Sequence, residues 1–280
     1  MPTNPSALTR NRKSHYGILP VGRSGAFGVS AIRADMPEML SDYRNDSPLS
    51  GRTALVTGAS RGIGRAIALR LAALSARLLL VARDAGALTA VQQEIASQGG
   101  DAEIHSCDLA SITAVEAVGS TIAASGGCDI LVNCAGIGRI GKPLHELPVE
   151  DFEAIFATNV RAPFLLMRAI VPGMIKRGAG HIVNISSLAG QGTLANGAAY
   201  AASKSALNAL TYSSAEELRA HNIRVAVVAP GSVNTSFGRG GKNTAKMLQP
   251  DDVAEVVSML VTQAPQSFIS EIRMRPTQKP

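Results

Sequence analysis

From Gly51 onward, short apolar runs alternate with longer stretches whose apolar residues recur at helical spacing. This is the pattern of successive βαβ units wound around a parallel sheet. Strands are expected at 53–57, 77–82, 102–107, 129–133, 181–186, 223–229 and 268–274, with helices between them at about 62–75, 84–98, 111–125, 150–177, 199–221 and 251–263. The crossovers suit right-handed connections, so the fold class is α/β, a doubly wound parallel sheet of about seven strands with helices on both faces. In such a sheet the ligand lies at the carboxyl ends of the strands, where the strand order reverses. At 280 residues and 46% hydrophobic content, the chain can bury one sizeable core.

The first strand runs into Thr57-Gly58-Ala59-Ser60-Arg61-Gly62-Ile63-Gly64, which opens a helix-patterned stretch (Ile63, Ile67, Leu71, Leu74). Glycines remove the Cβ atoms that would hold a pyrophosphate off the backbone, and the N–H groups at the helix start stabilise its charge. The spacing is Gly-x-x-x-Gly-x-Gly, and taken alone it also fits an ordinary strand-to-helix turn. At the end of the second strand, where an acid would hydrogen-bond a ribose 2′-hydroxyl, the chain has Ala82 followed by Arg83. With Arg61, two guanidinium groups are available for a 2′-phosphate, which favours NADPH. The alternative for Arg83 is a solvated residue starting the next helix, with Asp84 as its N-cap. Asp108, followed by Leu109 after the third strand, is placed to receive an adenine amino group, or else to cap the helix beginning near Ser111. Asn133-Cys134-Ala135-Gly136 ends the fourth strand, where small residues permit close approach of the adenosine half of a dinucleotide.

Tyr200 and Lys204 are four residues apart in Tyr-Ala-Ala-Ser-Lys, so on a helix they share a face. An adjacent cation lowers a tyrosine pKa toward the range where the phenol exchanges protons near neutrality. Alone, the pair also reads as a core tyrosine beside a lysine. Ser187 leaves the fifth strand thirteen residues before Tyr200, where its hydroxyl can hold a carbonyl oxygen beside the phenol. Asn159 lies inside a long helix, a mediocre place for an amide, and its polar group is expected to reach Lys204 through water.

Together these motifs resemble the short-chain dehydrogenase/reductase family. The matching elements are Thr57-Gly58-x-x-x-Gly62-x-Gly64, Asn133-x-Ala135-Gly136, Asn159, Ser187, Tyr200-x-x-x-Lys204 and Pro230-Gly231, in the family's order over about residues 50 to 275. The resemblance implies a Rossmann fold and a catalytic tetrad of Asn159, Ser187, Tyr200 and Lys204, with hydride transfer at the nicotinamide. It also implies cofactor contacts from Val233 and Thr235, after Pro230-Gly231, and from Tyr200 and Lys204. The expected activity is NADP(H)-dependent reduction of a ketone or ketoacyl group. Two alternatives are an NAD-dependent alcohol dehydrogenase of the same family and a dinucleotide-binding regulator without turnover. Homodimers or homotetramers formed through the helices at 150–177 and 199–221 are a further expectation from the family.

Two departures stand out. Cys134 replaces the family's usual second asparagine, and the end of the chain, Phe268-Ile269-Ser270-Glu271-Ile272-Arg273-Met274-Arg275-Pro276, lacks the Val-Asp-Gly-Gly-like turn of many members. That ending resembles NADP-linked carbonyl reductases of broad specificity more than a typical ketoacyl reductase. The segment 235–250 is short and basic (Arg239, Lys242, Lys246) and is expected to close over substrate. Its cations suit an anionic substrate or a merely solvated loop.

The net charge of +6 is partly local, since Arg10, Arg12, Lys13, Arg23 and Arg33 all precede the first acid, Asp35. No basic cluster is interleaved with aromatics as a nucleic-acid platform requires. Residues 1–49 keep neither helical nor strand period and are expected to form a disordered or loosely attached arm. An organelle-targeting peptide and an upstream start, with the functional chain beginning at Met36 or Met39, both fit this arm. Cys107, Cys128 and Cys134 form no Cys-x-x-Cys pair and have no histidine at metal-ligand spacing, so they are expected as free thiols with no metal. No stretch approaches the roughly 18 consecutive apolar residues of a membrane span. The expected location is cytoplasmic, or organellar if the arm is a transit peptide.

Overall fold

The structure is a computed structural model and describes residues 47–237 and 244–278. The expectations placed on residues 1–46, on Arg239 and on Lys242 lie outside the described residues.

The strands are β1 (Thr53–Thr57), β2 (Arg77–Ala82), β3 (Ala102–Ser106), β4 (Ile130–Asn133), β5 (Gly180–Ile185), β6 (Ile223–Pro230) and β7 (Glu271–Met274). They form one sheet in the order β3-β2-β1-β4-β5-β6-β7. Every neighbouring pair is parallel. The helices are α1 (Gly62–Ala73), α2 (Ala85–Ser97), α3 (Ile112–Ala124), α4 (Val149–Phe156), α5 (Ala162–Arg177), α6 (Ala198–Arg219) and α7 (Pro250–Thr262).

Side chains alternate across the pleat, so each central strand feeds two cores. Ala54, Val56, Leu78 and Leu80 pack with Ile67 and Leu71 of α1, Leu88 of α2 and Val257 of α7. Leu55, Leu79 and Val81 pack on the opposite face with Val115 and Ile122 of α3, Leu166 and Ile170 of α5, and Leu218 of α6. Covering both faces explains the unbroken apolar run of β2, five of whose six residues are buried. Truncating one such leucine to alanine costs about 2–5 kcal/mol.

The helix boundaries follow local chemistry. Asp84 accepts from the Ala87 N–H at 3.0 Å, and Ser111 caps α3 by accepting from the Ala114 N–H at 3.3 Å. Gly178, with φ 64°, closes α5. The expected helix at 150–177 is instead two helices joined by a π turn over Ala157–Arg161. By length and composition the run Val149–Arg177 is long and apolar enough to cross a membrane, but half of its most apolar window is buried inside the fold. The last strand starts at Glu271 rather than 268. The N–H groups just before it are used elsewhere: that of Ser267 goes to Ala264 O and that of Ile269 to the Gln263 side chain.

The boundary of the N-terminal arm also moves. Leu49 is 3% exposed and packs with the core on the α1 side, and its N–H donates to Leu74 O at 3.0 Å. Residues 47–49 therefore belong to the folded unit.

Candidate active site

The strand order reverses between β1 and β4, and both glycine-bearing turns leave the sheet there. Gly58 has φ 69°, and a Cβ on it would lie 3.0 Å from Ala135 Cα, so the two turns touch through main chain. A Cβ on Gly64 would lie 2.3 Å from Gly58 O, so only glycine lets α1 begin this close to β1. Thr57 locks the junction: its Oγ1 accepts from the Cys134 N–H at 3.0 Å and the Ala135 N–H at 3.1 Å. The sequence offered Thr57 only as the first letter of a motif, yet it holds the two turns in register.

The start of α1 fits a phosphate. Arg61 stands at the N-cap without a side-chain capping bond, and no acid occupies the first turn. Among the described residues, the first turn of α1 therefore lacks the side-chain acceptor that Asp84 and Ser111 give the next two helices, which suits anion binding. Ser60 is half-buried in the turn, and Ile63 packs onto the core. The Gly58 N–H bonds Val81 O at 2.8 Å, which carries the end of β2 alongside the turn. Arg61 and Arg83 are both exposed and make no ion pair or side-chain hydrogen bond among the described residues. The N-cap expected of Asp84 is present, and Arg83 remains available beside it.

Asp108 is exposed and accepts from the Ala110 N–H at 3.1 Å; it does not cap α3, since Ser111 does so. The side chain of Leu109 is buried, 8% exposed, in the core on the α3 side. Asn133 is 2% exposed, and its amide donates to Asn184 Oδ1 at 2.8 Å, while Asn184 donates to Thr211 Oγ1 at 2.8 Å. Its side chain thus ties β4 to β5 and α6, a role its motif did not reveal. On the far side, the Gly231 N–H bonds Met274 O at 2.9 Å, holding the end of β6, Pro230, against β7. Val233 bridges Leu248, and the Asn234 N–H bonds Leu248 O at 2.8 Å, so the two ends of the segment 235–250 are tied together. Thr235 comes against the phosphate turn: a Cβ on Gly62 would lie 3.3 Å from its Cγ2.

Beside this crevice stand the four residues of the expected tetrad. Tyr200 and Lys204 share a face of α6 and are 9% and 4% exposed. Ser187 leaves β5 and caps the short turn after it by accepting from the Ala189 N–H at 3.1 Å, with its hydroxyl near enough to the Tyr200 phenol to influence its proton affinity. Gly136 joins the crevice to these groups: a Cβ on it would lie 3.2 Å from Asn159 Oδ1 and 3.5 Å from Lys204 Nζ.

One expectation about the tetrad changes. Burial pushes the Tyr200 phenol above its ordinary value, and the Ser187 hydroxyl opposes this. Lys204 is not what lowers it: its Nζ lies 5.9 Å from the ring centre and donates to Ile185 O at 2.7 Å. Burial also lowers Lys204 itself, from 10.5 to about 8. Asn159 lies in the π turn and is fully buried. Its Oδ1 accepts from the Ile137 N–H at 2.9 Å, and its amide donates to Ile137 O and to Ser203 Oγ, each at 3.0 Å. With both N–H bonds used within the protein, the side chain braces the turn after β4 against α6, and its Oδ1 faces the same space beside Gly136 as Lys204 Nζ. Ser203, absent from the sequence-based site, completes the brace by donating to Tyr200 O at 2.7 Å.

Cys134 sits among these groups, and burial pushes its thiol up to about 12 although Lys204 acts in the other direction. It is a neutral thiol here. All three cysteines are free, and no three metal-ligating side chains gather among the described residues.

This geometry defines a class, the oxidoreductases built on a dinucleotide-binding sheet. A family model described as short chain dehydrogenase matches residues 52–246, and the chain belongs to that family. It is 52% identical to a metagenomic short-chain oxidoreductase whose crystal structure contains NADP, over 83% of this chain and 100% of that one, with a TM-score of 0.75. It is 41% identical over 195 residues to the L-xylulose reductase of Mesocricetus auratus, covering 69% of this chain and 77% of that protein. The 3-oxoacyl-[acyl-carrier-protein] reductase of Synechocystis is 34% identical over 233 residues, 79% of this chain and 94% of that protein.

Proposed function

We propose that this chain reduces a carbonyl compound to an alcohol with NADPH, using Tyr200 as the proton donor. The observation that carries the reading is the buried Tyr200–Lys204 pair on one face of α6, with Lys204 Nζ held on Ile185 O and both Lys204 and Asn159 bordering Gly136 beside the crevice that Gly58, Gly62 and Gly64 open. The uncapped first turn of α1 suits a diphosphate, and Arg61 and Arg83, with Ala82 in place of an acid, suit a 2′-phosphate. The NADP in the structure of the metagenomic relative supports the same cofactor.

A bound NADPH supplies hydride. Ser187 orients the substrate oxygen, and the Tyr200 hydroxyl delivers a proton to it as the alkoxide forms. A phenol held above its ordinary pKa by burial stays protonated at neutral pH, the state a proton donor needs. Lys204, anchored on Ile185 O, places a cation one helical turn from Tyr200 and would hold a ribose hydroxyl of the cofactor. Asn159 and Ser203 are positioning residues that hold α6 against the turn bearing Gly136.

Copies of the chain associate through the α4–α5 side in this reading. Phe152 (40% exposed) and Phe164 (45%) stand in water there, near a groove lined by Phe156, Val160 and Leu210. A monomeric mass in solution would overturn that part.

The test of the reaction is NADPH oxidation by the purified chain across ketones, ketoses and ketoacyl thioesters, with Tyr200→Phe as control. Turnover that survives this substitution would overturn the assignment of the proton donor.

A further inference from the structure

Phe237 lies seven residues past the end of β6, at the turn that begins with Thr235. Its N–H bonds Thr235 Oγ1 at 3.3 Å, and Thr235 in turn abuts Gly62, so the position of the aromatic ring is tied to the phosphate turn. The ring centre is 5.7 Å from that of Tyr200, with the planes tilted by 51°. On its other side the ring rests on Gly138, where a Cβ would lie 3.0 Å from Phe237 Cε1 and 3.3 Å from Ile140 Cδ1. Phe237 and Ile140 keep 48% and 46% of their surface exposed.

A half-exposed aromatic ring next to a proton donor offers a flat apolar surface to whatever the donor acts on. None of Phe237, Ile140 and Gly138 carries a side-chain donor or acceptor, so hydroxyl groups laid against them would lose water without replacement. A planar apolar substituent would instead gain buried area and ring contact. From this geometry we propose that Phe237, seated on Gly138 and flanked by Ile140, determines specificity by selecting carbonyl substrates with an aryl substituent over polyhydroxylated ones. The inference rests on the reading of the site as a carbonyl reductase and names its substrate class.

The experiment measures kcat and KM with NADPH for acetophenone and for a pentulose, in the full chain and in Phe237→Ala, Phe237→Tyr and Gly138→Ala. Acetophenone is expected to exceed the pentulose in kcat/KM by about tenfold or more. Phe237→Ala collapses that ratio chiefly by raising KM for acetophenone, and Phe237→Tyr, which keeps the ring, preserves it. Gly138→Ala, which pushes the ring off its seat, moves the ratio in the direction of Phe237→Ala. A parent enzyme that prefers the pentulose, or a ratio unmoved by Phe237→Ala, overturns the inference and leaves the reductase reading standing. Calorimetric binding of 1-phenylethanol separates the two in the other direction. Binding that weakens in Phe237→Ala without any turnover by the parent supports the aryl site and sinks the reductase, while equal binding to both proteins sinks the aryl site.

Discussion

Lys204 Nζ donates to the carbonyl oxygen of Ile185 at 2.7 Å, so the cation of the site is anchored to the last residue of β5 and not to Tyr200, one helical turn away. The anchor fixes where the charge sits. Burial opposes the charge itself and holds Lys204 at about 8.

That opposition makes Lys204 costly to the fold. The drop from 10.5 to about 8 corresponds to about 3 kcal/mol against the charged form, while losing its hydrogen bond to Ile185 costs about 1 kcal/mol. The folded value is the lower one, so the cost is complete below pH 8 and fades as pH rises toward 10.5. Lys204→Met is therefore expected at pH 7 to be at least as stable as the parent in thermal unfolding, while turnover falls by about a hundredfold or more. A destabilised variant with intact turnover would contradict both halves.

Asn159 should behave in the opposite way. Asn159→Ala leaves the Ile137 N–H and C=O without their Asn159 partners in a half-buried place and removes the buried bond to Ser203. A loss of about 3 kcal/mol is expected, seen as roughly 2–4 °C of melting temperature per kcal/mol. Ser203→Ala, which removes fewer bonds, should cost about 1 kcal/mol. Equal stabilities across the three proteins would show that the brace does not matter.

Arg61 and Arg83 are tested by cofactor choice. Charge-assisted contacts to a phosphate contribute about 1.5–3 kcal/mol each, so either alanine variant should weaken NADPH binding by about tenfold or more, and NADH binding by much less. Nicotinamide fluorescence titrations with both cofactors measure this. A parent that prefers NADH would remove the argument from Ala82-Arg83.

His181, at the opposite end of β5 from Ser187, predicts acid sensitivity. Burial lowers it from 6.5 to about 4, with Arg224 and Arg52 adding to the effect against the Leu260 hydrogen bond and Asp129. Its folded pKa lies below its unfolded one, so the stability it contributes is present above pH 6.5 and is lost as pH falls toward 4. Between pH 7 and pH 4.5 this amounts to about 2–3 kcal/mol. Denaturant unfolding at the two pH values should show a smaller acid loss in His181→Gln than in the parent.

Local pattern determined much of this protein. Apolar runs of five or six residues alternating with helix-period stretches defined a parallel sheet, because strands covered on both faces carry no polar alternation. The glycines of the first turn and the i, i+4 spacing of Tyr200 and Lys204 are local geometry, legible from order alone. Only the tertiary structure decided what crosses between elements. Thr57 bonding the turn after β4, Asn133 turned to Asn184, Asn159 committed to Ile137 and Ser203, and Phe237 seated on Gly138 all join residues at least 20 positions apart. The partner of a buried amide or the neighbour of a ring is set by packing, and neither propensity nor spacing encodes it. The protonation balance of the site was decided there as well, because burial, which no linear reading measures, is the largest influence on both Tyr200 and Lys204.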